Sequence, residues 1–398
     1  MPKTSYGSQR NNIYRARFWQ RILPLPWEVW PSEARILLSL IIFWSISGLF
    51  ILGSASWWVG NKEMGDGAYF VKRQFLWLLT GWSFAWLTIS INLRKLLSMS
   101  KVCLIIFLIL IGITVFFGTT INGSSRWLIL GDIRIQPSEL IKPFIILQAA
   151  NIFAQWTRIN NKQKVIWTLI FGLLILLILM QPNLSTASLI GILLWMIAFS
   201  SGIKLRLLFS CASLGLMLGA LSVSKYEYQM MRITSFLNPW EDPHGNGYQL
   251  IQSLLAIGSG GLFGEGYGLS TQKLLYLPFI STDFIFAVFA EEFGFIGSVM
   301  LILFLCLITF IGLRISLRCR NNYSKLIAIG CTILLVGQSI MHLAVASGSM
   351  PTTGLPLPMI SYGGNSLLSS LVIGGLLIRC SLESTGLIGG LRIKKKLV

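Results

Sequence analysis

Apolar residues gather in ten runs along this chain, near positions 35–56, 74–91, 102–118, 138–156, 166–180, 187–201, 207–223, 284–313, 326–347 and 366–378. Crossing a bilayer core as a helix takes about 20 predominantly apolar residues, and most of these runs approach or exceed that length. Short polar segments separate them, apart from one long gap between the seventh run and the eighth. The pattern predicts an all-α polytopic membrane protein of about ten transmembrane helices, with a large structured extracytoplasmic loop between helices seven and eight.

Composition supports the same class. Hydrophobic residues make up 54% of the chain and charged residues 12%, with mean hydropathy +0.72. That leaves too little polar surface to cover a soluble globule. A net charge of +18 would suggest nucleic acid in a soluble protein. Its distribution removes that partner. With the N-terminus inside, 23 of the 32 Lys and Arg fall on cytoplasmic segments beside only Glu28, Glu33 and Glu383, whereas the outer loops balance eight bases with eight acids. The surplus is topology, and both termini are expected in the cytoplasm. Residues 1–34 read as a basic arm, with Arg10, Arg15, Arg17 and Arg21 among aromatic residues. The apolar run after it is too long for a signal-peptide core, so it stays as the first span. The transmembrane domain then covers 35–382, with an outer loop at 224–283, and 383–398 forms a basic cytoplasmic tail. Six cysteines, at 103, 211, 306, 319, 331 and 380, avoid the outer loops and have no metal-site spacing.

Candidate chemistry concentrates in three stretches. Between Leu277 and Gly297 an apolar run carries Asp283, Glu291 and Glu292. On one helix, Asp283, Ala287 and Glu291 fall at i, i+4 and i+8, which sets the two acids on a shared face about 12 Å apart along the axis. Carboxylates at membrane depth are costly and mark function, the competing reading for Glu291 and Glu292 being a buried structural network.

In the second stretch, Asn122-Gly123 and Gly131-Asp132 are turn signals around an alternating segment, which predicts a hairpin-like flap. Pro137 suits a helix start, Ser138 reads as its cap, and Glu139 and Lys142 at i, i+3 can pair on one face. Arg126 and Arg134 lie just above; two guanidinium groups at a water boundary suit a phosphate or pyrophosphate, or else snorkel to lipid headgroups.

The long loop contributes the third stretch. Residues 248–258 form an apolar run too short to span, so an interfacial or re-entrant helix is expected. Glycines crowd 258–268, permitting close backbone approach or a hinge, and Lys273 follows. His342 reads as a satisfied structural histidine in the ninth helix, and the prolines and glycines of 350–366 forbid a regular helix there.

Three ordered blocks carry a family resemblance. They are Asn122-Gly123-x-x-Arg126-Trp127 with Gln136-Pro137-Ser138-Glu139-Leu140-x-Lys142; Thr282-Asp283-Phe284-Ile285-Phe286-Ala287-Val288 with Glu291-Glu292-x-Gly294; and Pro351-Thr-x-Gly354-Leu-Pro-Leu-Pro-x-Ile360-Ser-Tyr-Gly-Gly364. From the first helix to the last, the chain resembles the SEDS family of shape, elongation, division and sporulation proteins, and is closer to its division member than to its elongation member. The resemblance implies a peptidoglycan glycosyltransferase that polymerises lipid II from an outward-facing cavity. It implies work at the septum of the plasma membrane beside a class B penicillin-binding protein and other division proteins. Asp283 matches the family's essential aspartate, the proposed base. Arg126, Trp127, Arg134, Glu139 and Lys142 match positions that resemble the family's substrate-cavity set, and Gln136, Lys273, Thr282, Glu291 and Glu292 are expected to bind substrate with them. Ser281, Asn183, His342 and Pro143 depart from the usual residues. Arg126, Arg134 and Lys273, or a divalent cation such as Mg or Mn, would stabilise the departing pyrophosphate. A lipid II flippase, an elongation-type polymerase and a recruiting scaffold are the alternatives.

Overall fold

The computed structural model describes residues 30–121, 124–131, 133–274, 278 and 280–384. The basic arm up to residue 29 and the tail beyond 384 lie outside the described residues. The chain is an all-α polytopic membrane protein, and every one of the ten apolar runs is helical. In order these helices are α1 (Ser32–Met64), α2 (Tyr69–Ser90), α3 (Leu93–Phe117), α4 (Pro137–Leu140) with α5 (Lys142–Phe153), α6 (Asn161–Met180), α7 (Leu184–Ser200) and α8 (Leu205–Lys225). After α9 (Glu227–Leu237) and α10 (Tyr248–Ser259) come α11 (Ile285–Arg318), α12 (Asn322–Ala346) and α13 (Gly364–Ser384). Seven of them, α1, α3, α6, α8, α11, α12 and α13, are long and apolar enough to cross a membrane.

Burial follows position in the bundle. α13 is enclosed along nearly its whole length and packs lengthwise on α2 and against α12, while α8 rests on α7 and α9 with its other faces exposed. Exposed leucines, isoleucines and phenylalanines ring the bundle, as expected where lipid replaces water.

The expected flap is present as a three-stranded antiparallel sheet, β1 (Thr119–Ile121), β2 (Ser124–Leu130) and β3 (Ile133–Ile135), with Thr119 opposite Trp127 and Leu128 opposite Ile135. Its Asn122-Gly123 and Asp132 turn residues lie outside the described residues. The run at 138–156 is not one helix. Pro137 occupies the first turn of α4, and Pro143 starts a second segment, leaving Ile141 as the joint. Ser138 lies inside α4 rather than capping it; the cap position belongs to Gln136, whose side chain makes no capping bond.

The short apolar run at 248–258 forms α10, twelve residues that pack on α11 and α12, with Ser253 Oγ donating to the Ala346 carbonyl at 2.7 Å. Close backbone approach explains Gly260 and Gly264 after it, where an added Cβ would run into the carbonyls of Ala290 and Glu292. At Gly294 α11 is broken, with φ 65 and ψ −163. There the loop pairs with the helix: Glu265 N–H donates to Glu291 O at 3.0 Å, Gly266 N–H to Glu292 O at 3.1 Å, and Phe295 N–H to Gly261 O at 2.9 Å. A Cβ at Gly294 would stand 2.7 Å from the Leu262 carbonyl oxygen. Gly294→Ala should therefore destabilise by about 3 kcal/mol, from a backbone region open only to glycine plus a clash with main chain. Thermal unfolding of the purified protein checks this, and an unchanged midpoint would mean the joint does not constrain the loop.

Candidate functional site

Asp283 does not continue the helix. α11 starts at Ile285 with Phe284 flanking it, so the expected stripe from Asp283 through Ala287 to Glu291 does not form. The reason is a tether to the coil before α13. Tyr362 N–H donates to the Ser281 carbonyl at 2.7 Å, and Ser361 Oγ donates to the Thr282 carbonyl at 2.7 Å. With its backbone held this way, the half-buried Asp283 faces a different set of partners. Its Oδ2 lies 3.5 Å from where a Cβ on Gly354 would sit, and that point is 3.8 Å from Arg232 Nη2.

Two arginines stand beside it. Arg126, on β2, donates from Nη2 to the Pro182 carbonyl at 2.6 Å and from Nε to the Gln181 carbonyl at 3.5 Å. Arg232, on α9, donates to the Thr352 carbonyl at 3.1 Å and to the Tyr228 hydroxyl, one helical turn away, whose ring lies 4.4 Å from the guanidinium carbon. Each guanidinium is thus positioned by neutral acceptors, leaving its charge to act on Asp283 or on a ligand. Burial holds Arg126 down to about 10, with repulsion from Arg232 adding to it. For Asp283, burial pushes the pKa above the usual 3.8, against the pull of Arg232, a Thr282 hydrogen bond and Arg126. Both arginines border a cavity of about 170 Å³ closed by α7, α9 and the 350–353 segment.

Other expected site residues sit elsewhere. Glu139 and Lys142 form a buried ion pair at 2.7 Å, 3% and 1% exposed, and Lys142 Nζ also donates to Gln338 Oε1 at 3.0 Å. Gln338 in turn donates to the Pro356 carbonyl at 2.7 Å, and His342 one turn later meets the Leu355 carbonyl at 2.9 Å. The histidine's Nε2 has no hydrogen-bond partner, so it is satisfied on one side only. Through these bonds the ion pair supports the coil that carries Gly354. Glu291 accepts from Ser270 Oγ, Thr271 N and Thr271 Oγ1; Glu292 accepts from Ser54 Oγ and from Lys273 Nζ at 3.1 Å. Both glutamates and Lys273 therefore fasten the 258–274 loop to α1 and α11. Trp127 is half-buried on β2, Arg134 is exposed on β3 with its carbonyl accepting from Asn365, and Gln136 Nε2 reaches Ser138 Oγ at 3.5 Å. Among the described residues no group of three or more His, Cys, Asp or Glu could hold a metal. Asp283, with two guanidinium groups beside it, is a poor cation ligand set.

Tyr228 and Arg232 read in the sequence only as polar members of the long outer loop, with no site role, and Gln338 carried no signal there. The i, i+4 spacing of Tyr228 and Arg232 on an amphipathic segment is the one local signal for the first two.

The family model described as "Cell cycle protein" for FtsW, RodA and SpoVE matches residues 34–386. The chain is 48% identical over 356 residues to a probable peptidoglycan glycosyltransferase FtsW of Synechocystis, covering 89% of this chain and 91% of that protein. It is 34% identical to the protein of that name from Escherichia coli O157:H7, covering 89% and 88%. Among solved structures, a chain of a peptidoglycan synthase complex that coordinates polymerization and crosslinking aligns with TM-score 0.73 at 26% identity, over 90% of this chain and 99% of that one. The rod shape determining protein RodA of Thermus thermophilus aligns with TM-score 0.66 at 27% identity, over 89% and 97%. A match across nearly the whole chain, together with relatives well above 30% identity, makes this protein a member of the SEDS family of FtsW, RodA and SpoVE cell cycle proteins.

Proposed function

We propose that this protein is a peptidoglycan glycosyltransferase that joins lipid II units into glycan strands at the division septum, with Asp283 as the base. The sheet end of the bundle then faces outward, and Arg314 and Arg318, paired with Glu33, mark the cytoplasmic end. Residues 35–382 act as the catalytic membrane domain. In the transfer, Asp283 takes the proton of an acceptor sugar hydroxyl as its oxygen bonds to the donor's anomeric carbon. The bond from that carbon to the diphosphate oxygen breaks, and undecaprenyl pyrophosphate leaves with the electron pair. Inversion follows from a single displacement. Arg126 and Arg232 lie beside Asp283, where charge builds on the leaving group. The one observation that carries the proposal is this grouping: a half-buried carboxylate with raised proton affinity beside two arginines held by neutral acceptors. The resemblance to a synthase-complex chain supports a class B penicillin-binding protein as partner.

The test is conversion of labelled lipid II to a ladder of glycan by the purified chain with that partner, its transpeptidase blocked. The pH dependence carries a further expectation. Asp283 must be ionised to act, so activity falls as pH drops through its raised pKa, and the acidic limb lies above 3.8. Arg232 favours the ionised form, so Arg232→Gln should move that limb to still higher pH and lower the plateau by about 10²-fold. A limb that stays in place or moves down would assign the titration to another group.

A further inference from the structure

One polar group in the cavity has no part in moving a diphosphate. Gln229 lies on α9 three residues before Arg232, so both occupy the face turned to the cavity, and it is 5% exposed. Its Oε1 accepts from Ser222 Oγ on α8 at 2.9 Å. Its Nε2 is buried with no hydrogen-bond partner. A buried donor left unmet weakens a fold unless a ligand brings the acceptor. Beside Arg126 and Arg232 a neutral amide adds little to the binding of an anion; what it distinguishes is a carbonyl. Ile233, Met341 and Met350 give the same cavity apolar wall. Methionine adapts to small apolar groups. The volume of about 170 Å³ equals roughly six water molecules. That is room for the substituent-bearing edge of one sugar ring, not for a whole lipid-linked disaccharide.

We infer that Gln229 reads the acetamido group of an N-acetylated hexosamine: Nε2 donates to the acetamido carbonyl oxygen while the methyl group packs on Met341 and Met350. The inference rests on the glycosyltransferase reading and supplies its sugar selectivity. Arg126 and Arg232 hold the charged part of the substrate, and Gln229 distinguishes an N-acetylated ring from one bearing a plain hydroxyl.

Equilibrium binding tests it, using the full chain with its partner in nanodiscs, lipid II, and an analogue with hydroxyls in place of the acetamido groups. The intact protein should prefer lipid II by about tenfold, the scale of one buried hydrogen bond with a methyl contact. Gln229→Leu should reduce the preference below about threefold by weakening lipid II alone. Gln229→Glu still accepts from Ser222 but lacks the N–H, so it should lose the preference too and serves if the leucine variant does not fold. Ser222→Ala removes the tether and keeps the amide, and should retain the preference. No preference in the intact protein, a preference unchanged in both Gln229 variants, or an equal loss in Ser222→Ala would overturn the inference. Because binding is read, the two failures separate: glycan synthesis without N-acetyl preference sinks this inference alone, and preference without synthesis sinks the enzyme.

Discussion

Asp283→Asn should lower glycan synthesis by about 10²- to 10⁴-fold, the usual contribution of a positioned base, while lipid II still binds and the protein still folds. The amide has the shape of the carboxylate and fits the space beside Gly354 and Thr282, but it cannot take a proton. It also removes the negative charge beside Arg126 and Arg232. Affinity for the diphosphate should therefore hold or rise as turnover collapses, a split that simple damage to the site would not produce. A lipid II transporter sharing this cavity would keep part of its flux, because the crossing of a headgroup requires no base. The measurement is a gel of labelled product from wild type and variant at matched protein, beside a binding isotherm for each. Ladders of equal length and yield would remove Asp283 from the chemistry.

Local sequence signals reported the fold well wherever the cause was local. Apolar runs became helices because lipid leaves the backbone no other partner, and the alternating segment from Ser124 became β2, paired on both edges. The errors share a different origin. Asp283 directly precedes the apolar run at 284–313 and so reads as part of its helix, yet the helix waits until Ile285, since Ser361 and Tyr362, some 80 residues later, bind the backbone of Ser281 and Thr282. Glu291 and Glu292 read as acids stranded in the membrane because Ser54, Ser270, Thr271 and Lys273 are invisible as partners until the 258–274 loop folds back. Arg232 read only as a loop residue for the same reason. It sits in a long polar loop and becomes a neighbour of Asp283 only when α9 lies against the 350–354 coil.

That coil links the chemistry to the buried ion pair, and there the largest effect on stability is expected. Lys142 is 1% exposed and bonded to Glu139 and Gln338, with Gln338 holding the Pro356 carbonyl. Glu139 Oε2 already lacks a partner, so the lysine is the main counterweight to the glutamate's charge. Lys142→Met keeps the length of the side chain and leaves a bare carboxylate in the core, which should destabilise by about 3–5 kcal/mol. Removing both charges is a different matter. Glu139→Leu with Lys142→Met has no stranded ion, and replacing a buried pair by apolar groups is often nearly neutral. The double variant should recover most of the lost thermal midpoint. Its glycan synthesis should stay depressed, because Gln338 loses the ammonium at its Oε1 and the segment carrying Gly354 loses part of its anchor. Unfolding midpoints and glycan yield for the two single variants and the double form a cycle that tests this. A double variant no more stable than Lys142→Met would mean that the pair's packing, rather than the stranded charge, sets the cost.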